Sequence, residues 1–153
     1  MNICKNNCFP MRNLATPPIV WVHGDSLSPM NPALLAYPQA PAVWVWDEEL
    51  LTQWQISRKR IVFIYECLLE LPVEIRRGNV LQELTQFVQE QGSNKLVTTQ
   101  SPSPHFKQIC QELSQQFTLE ILPIPPLIPP QKYLDLKRFS RYWQVAERQI
   151  YPH

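Results

Sequence analysis

Apolar residues fall into short unbroken runs separated by longer stretches of helical spacing. Ile19–Val22, opened by Pro17 and Pro18, is the first run, with nothing polar inside it, as in a strand covered on both faces. Ala42–Trp46 is a second, β-branched and aromatic throughout and closed by Asp47. Between them Pro29, Pro32, Pro38 and Pro41 break the chain, leaving space for one short helix near Ala33–Ala36. From Ser57 to Leu71 the spacing of Ile61, Ile64, Leu68 and Leu71 predicts a helix, with Arg58, Lys59, Arg60 and Glu66 largely off that stripe. Val73–Ile75 reads as a third strand. Asn79 is placed to cap a helix over Val80–Gln91, and Gly92 to stop it. Leu96–Thr99 is a fourth strand. Ser103 and Pro104 open a helix through Phe106, Ile109, Cys110, Leu113 and Phe117, and Leu119–Leu122 is a fifth strand.

Strands alternating with helices of this length imply crossover connections and a parallel sheet. Pro123–Pro130 carries five prolines and is expected to be extended, followed by an amphipathic helix from about Tyr133 to Ile150. The expected organisation is a loose arm over 1–16, an α/β domain over 17–125, and a connector with a C-terminal helix over 126–153.

Composition narrows the function classes. The chain has 153 residues, 14 basic against 13 acidic, for a net charge of +1. That balance excludes a polyelectrolyte and lacks the basic footprint of a dedicated nucleic-acid binder. Sixteen prolines against three glycines inverts the usual ratio. No stretch approaches the ~20 apolar residues of a membrane span. Cys67 and Cys110 fall on apolar helical positions and Cys4 and Cys8 have no neighbouring ligand pair, so no metal is expected and the reading is a reducing, cytoplasmic protein.

In an open parallel sheet, ligands sit beyond the carboxyl ends of the strands. Those ends carry His23, Gly24, Asp25 and Ser26 after the first strand, Asp47 after the second, and Gln100 and Ser101 after the fourth. Gly24 stands alone, without the glycine spacing of a phosphate loop or a nucleophile elbow. His23 and Asp25 are the candidate acid–base pair, although a histidine at a strand end is more often a satisfied loop residue. Trp21, Trp44 and Trp46 lie in strands and read as core, Trp54 as partly exposed.

From Trp21 onward the chain resembles the N-terminal α/β domain of the DNA photolyase and cryptochrome family. That family opens with Trp-x-Arg-x-Asp-Leu-Arg and Asp-Asn-x-Ala-Leu, matched here at Trp21, Asp25, Asn31, Ala33 and Leu34. Ala42–Asp47, Arg60–Leu71, Val73–Leu84 and Leu96–Cys110 are similar to the segments that follow in order, so the resemblance covers roughly residues 18 to 125. The implied architecture is a Rossmann-like three-layer sandwich with a five-stranded parallel sheet in the order 3-2-1-4-5, plus a C-terminal helix. His23 and Leu27 stand where the family has arginines, and Met30 where it has an aspartate.

The family's α/β domain helps to hold an antenna chromophore, a folate or a flavin; its FAD and its repair chemistry belong to a helical domain that these residues do not supply. The resemblance therefore implies a stand-alone, non-catalytic module with no expected cofactor, acting through a protein partner. Phe139, Tyr142 and Trp143 on the last helix are the candidate contacts. A second reading is a binder of a nucleotide, pterin or flavin at His23, Gly24, Asp25, Asn31, Asp47, Gln100 and Ser101. A third is half of a split photolyase.

Overall fold

The computed structural model describes residues 16–126 and 137–151. Residues to Pro123 form one compact unit and those from Ile124 a second. The expected arm over 1–16 lies, apart from Thr16, outside the described residues, as does the stretch 127–136 containing the expected start of the last helix.

The first unit runs β1 (Ile19–Trp21), α1 (Pro32–Ala36), β2 (Ala42–Trp46), α2 (Glu48–Gln53), α3 (Arg58–Leu69), β3 (Glu74–Arg77), α4 (Val80–Glu90), β4 (Lys95–Thr99), α5 (Pro104–Leu113) and β5 (Thr118–Leu122). The five strands form one sheet in the order β3-β2-β1-β4-β5, and every pairing is parallel. Trp21 of β1 pairs with Val43 of β2 on one side and with Thr98 of β4 on the other.

Alternation along the central strands divides the core between two faces. Ile19, Trp21, Val43, Val45 and Leu96 point to one, where α4 supplies Leu84, Phe87 and Val88 and α5 supplies Phe106, Ile109, Cys110 and Leu113. Val20, Val22, Ala42, Trp44 and Val97 point to the other, against Ala33 and Leu34 of α1 and Leu68 of α3. A strand apolar at every position is what two covered faces require.

The edge strands differ. β3 reads Glu-Ile-Arg-Arg and is largely exposed, and it begins one residue and ends two residues later than the apolar Val73–Ile75 expected from the sequence. Arg76 is held by Glu74 and Glu90, and Lys95 of β4 meets Glu120 of β5 at 2.6 Å, so charged side chains occupy both edges. Trp21 and Trp44 are buried, whereas Trp46 is only half-buried.

Caps fix several of the boundaries. Asn79 accepts from the backbone N–H groups of Leu81 and Gln82, and Ser57 from that of Arg60. Gly92, at φ 62°, takes the left-handed turn after α4. Ser103 precedes α5 without a side-chain cap bond, and α5 ends at Leu113 rather than reaching Phe117. In the second unit, α6 spans Phe139–Ile150. No helix among the described residues is long and apolar enough to cross a membrane.

Candidate functional site

The loops after β1 and β4 meet in a dense polar knot. Asn31 is almost fully buried, and both ends of its amide are engaged. Its Nδ2 donates to the Ser26 carbonyl at 2.9 Å and to Ser26 Oγ at 2.8 Å. Its Oδ1 accepts from the Ala33 N–H at 2.8 Å, from that of Leu34 at 3.3 Å and from Thr99 Oγ1 at 2.8 Å. Asn31 thus caps α1 while tying the β1 loop to the end of β4.

His23 is similarly committed. Its Nε2 lies 2.7 Å from the Thr99 carbonyl, which can only accept, so Nε2 carries the proton. Its Nδ1 accepts from the Asp25 backbone N–H at 3.3 Å. These two contacts define the neutral Nε2–H tautomer. Burial pushes the His23 pKa below the usual histidine value, while the Thr99 carbonyl and the Asp25 carboxylate pull the other way without prevailing. The ring also packs against Phe106 and Trp21, with centroids at 4.8 and 5.6 Å.

The Asp25 carboxylate accepts a hydrogen bond from Ser101 Oγ, which in turn accepts from the Ser103 N–H at 3.1 Å. Asp47 caps α2 by accepting from the Leu50 N–H at 3.1 Å. Gln100 is exposed, and its backbone N–H reaches the Leu122 carbonyl at 2.8 Å.

Beside this knot, across the carboxyl ends of β1 and β2, opens a cavity of about 390 Å3. Of the residues singled out from the sequence, His23, Gly24, Asp25 and Asp47 line it; Asn31, Gln100 and Ser101 do not. Its walls are chiefly apolar and aromatic, including Trp44, Trp46, Trp54, Phe63 and Phe106. Arg60 at the start of α3 is the one arginine or lysine among the lining residues.

Two lining side chains carry buried nitrogens without a hydrogen-bond partner, Trp44 Nε1 and His105 Nε2. A buried donor left unpaired costs roughly 1–3 kcal/mol. The His105 ring stands edge to face against Trp54, with centroids at 5.6 Å. A Cβ at Gly24 would sit in ordinary contact with the Trp44 ring, at 3.7 Å, so a larger side chain there would extend beside that ring.

Sequence reasoning placed the strand ends correctly in order but did not find Leu50, Leu51, Trp54, Ile56, Phe63 or His105. The α2 residues among them had a readable signal: Asp47 followed by Glu48 and Glu49 is an N-cap with an acidic first turn.

No group of three or more histidine, cysteine, aspartate or glutamate side chains is placed to hold a metal ion among the described residues. Phe139 on α6 stacks on Trp143 with centroids at 5.9 Å and leans on Tyr142 at 6.2 Å.

The parallel sheet, its strand order and its flanking helices define a photolyase-like α/β fold. Among solved structures, a bacterial class III photolyase from Agrobacterium tumefaciens shares it, with a TM-score of 0.57 at 16% identity over 90% of this chain. The match takes in 33% of the photolyase, so the chain spans about a third of that protein's length. No family model matches the chain, and no curated protein matches it.

Proposed function

We propose that this chain is a photolyase-like α/β module that works by binding, without catalysis of its own, and that its cleft takes a small flat ring system. The observation that carries this reading is the contrast between the two halves of the site. Every polar side chain of the knot except the exposed Gln100 is spent on another part of the protein, so His23 and Asp25 offer no free acid–base pair. The neighbouring cavity is aromatic and about 390 Å3, within the ~300–1,000 Å3 of small-molecule sites.

A fused two- or three-ring heterocycle, of the kind found in pterins and flavins, suits these walls. Trp46, Trp54 and Phe63 present ring surface to such a ligand. Such a ligand would bring its own light absorption; the chain contributes shape, stacking and donors. His23, Gly24, Asp25 and Asp47 form the polar rim. Asn31 and Ser101 act on it from outside by holding that rim in place, whereas Gln100 is exposed away from the lining.

A second reading, attachment to a protein partner, is favoured by α6. Phe139 is 73% and Trp143 37% exposed, so their stacked rings present apolar surface of the sort found at protein contacts.

Gentle purification from the native host, followed by mass spectrometry of released small molecules and absorbance beyond the tryptophan band, tests the choice. A stoichiometric aromatic heterocycle is expected. Protein free of any such molecule but carrying a stoichiometric protein partner lost on Phe139→Ala and Trp143→Ala substitution would overturn the ligand reading in favour of the second.

A further inference from the structure

The helix α3 is apolar on two sides. Ile64 and Leu68 turn inward, and Leu68 is buried in the core. On the outward side Val62 is 55%, Phe63 61%, Tyr65 50% and Leu69 67% exposed. Val62, Tyr65 and Leu69 follow helical spacing and form a continuous stripe over the last two turns of the element. A surface helix normally carries charge on that face, as a helix apolar all round is ordinarily covered.

The charges on α3 run against its own dipole. Its first turn holds Arg58, Lys59 and Arg60 and no acidic residue, whereas Glu66 and Glu70 lie towards its C-terminal end and its last turn has no basic residue. The macrodipole favours the opposite arrangement at both ends, by roughly a few tenths of a kcal/mol to 1 kcal/mol per charge. Arg58, Lys59, Glu66 and Glu70 are in no ion pair among the described residues. Local helix stability therefore does not explain this pattern.

We infer that the outward face of α3 is the contact surface for a second copy of this chain, packed antiparallel about a two-fold axis. Antiparallel packing lays the first turn of one α3 along the last turn of the other. Arg58 and Lys59 of each protomer then approach Glu66 and Glu70 of its partner, twice over by symmetry. The stripe of Val62, Tyr65 and Leu69 closes on its own image between these charged ends. The arrangement that is unfavourable within one helix becomes complementary between two. It also sets opposed dipoles side by side. A helix of 12 residues extends about 18 Å. A contact of that length falls short of the ~1,200 Å2 of stable complexes, which makes this a weak dimer governed by concentration.

Sedimentation velocity of the full chain from ~5 to ~500 µM reads the association. The wild-type chain is expected to shift from monomer to dimer across that range, with Leu69→Lys weakening association at least tenfold. Phe63 lines the cavity as well, so it is left unchanged. A charge-swap pair keeps the test free of folding artefacts, because both variants agree better with the helix dipole. Arg58→Glu with Lys59→Glu, and separately Glu66→Lys with Glu70→Lys, are each expected to be monomeric. Their equimolar mixture is expected to restore the dimer. A wild-type chain monomeric at every concentration, a dimer that survives Leu69→Lys, or a mixture that stays monomeric would each overturn the inference.

Discussion

Replacing Asn31 by alanine removes the centre of the polar knot and leaves the cavity walls untouched, since Asn31 does not line them. Three losses follow. The α1 cap to Ala33 and Leu34 disappears, at about 1 kcal/mol. Thr99 Oγ1, which is fully buried, loses its acceptor, and buried Ser26 Oγ loses its partner, at roughly 1–3 kcal/mol for each group left unpaired. With partial relaxation the expected cost is roughly 3 kcal/mol. For a chain of this size that lowers the melting midpoint by roughly 6–12 °C.

Urea unfolding followed by tryptophan fluorescence measures the change, and a cycle with Thr99→Val isolates the shared bond. Thr99→Val is expected to be less damaging beside Asn31→Ala than in the wild type, because the orphaned hydroxyl goes with it; the coupling is about 1 kcal/mol or more. A cost below about 1 kcal/mol with additive behaviour would refute the claim that this cluster is spent on holding the fold.

Three further outcomes follow from the same geometry. Burial lowers the pKa of His23, so the unfolded chain binds a proton that the folded chain resists. The stability tied to His23 is therefore complete above the unfolded value near 6.5 and is lost as pH falls below it, by at most about 1.4 kcal/mol per pH unit. Urea midpoints between pH 7 and pH 5 should fall more steeply for wild type than for His23→Gln, and equal slopes would contradict the assignment. Gly78 sits at φ 151°, a backbone conformation that L side chains rarely adopt, while the Glu83 carboxylate near an added Cβ can swing aside, so Gly78→Ala is expected to cost roughly 1–3 kcal/mol in the same assay. Trp44→Phe deletes an unpaired buried N–H but leaves a void where the larger ring packed, two effects of opposite sign, so its stability change is expected to stay within about 1 kcal/mol while ring binding weakens, and a loss of roughly 3 kcal/mol would show that the unpaired N–H costs the fold little.

The fold was legible because its strong signals are local. Unbroken apolar runs at Ile19–Val22 and Ala42–Trp46 mark doubly covered strands, and Asn79 and Gly92 bracket α4. Where element bounds depart from the apolar pattern, tertiary position decides them. β3 is an edge strand, so charged Arg76 and Arg77 are tolerated inside it. The spacing that carries α5 on to Phe117 persists beyond the helix, because Phe117 still packs on the same core from the turn after Leu113. α2 has no buried residue, so it left no apolar stripe to read.

The candidate site was only half legible. Strand ends pointed to His23, Gly24, Asp25 and Asp47, yet beyond Trp44 and Trp46 of β2 the walls come from α2 and its C-cap Trp54, from α3 and from α5, far apart in the chain. No spacing rule joins Trp54 to His105, and only the folded sheet brings them within ring contact. That Asn31 and Ser101 serve the fold and not the cavity follows from hydrogen-bond partners, which residue type does not reveal.

The binding claim is tested most directly by titrating the full chain with lumiflavin, the bare three-ring nucleus of flavins, and following quenching of tryptophan fluorescence. One saturable site per chain is expected, weakened at least tenfold by Gly24→Leu, whose side chain enters beside Trp44. Quenching that never saturates, or that Gly24→Leu leaves unchanged, would contradict a ring-binding cleft at these strand ends.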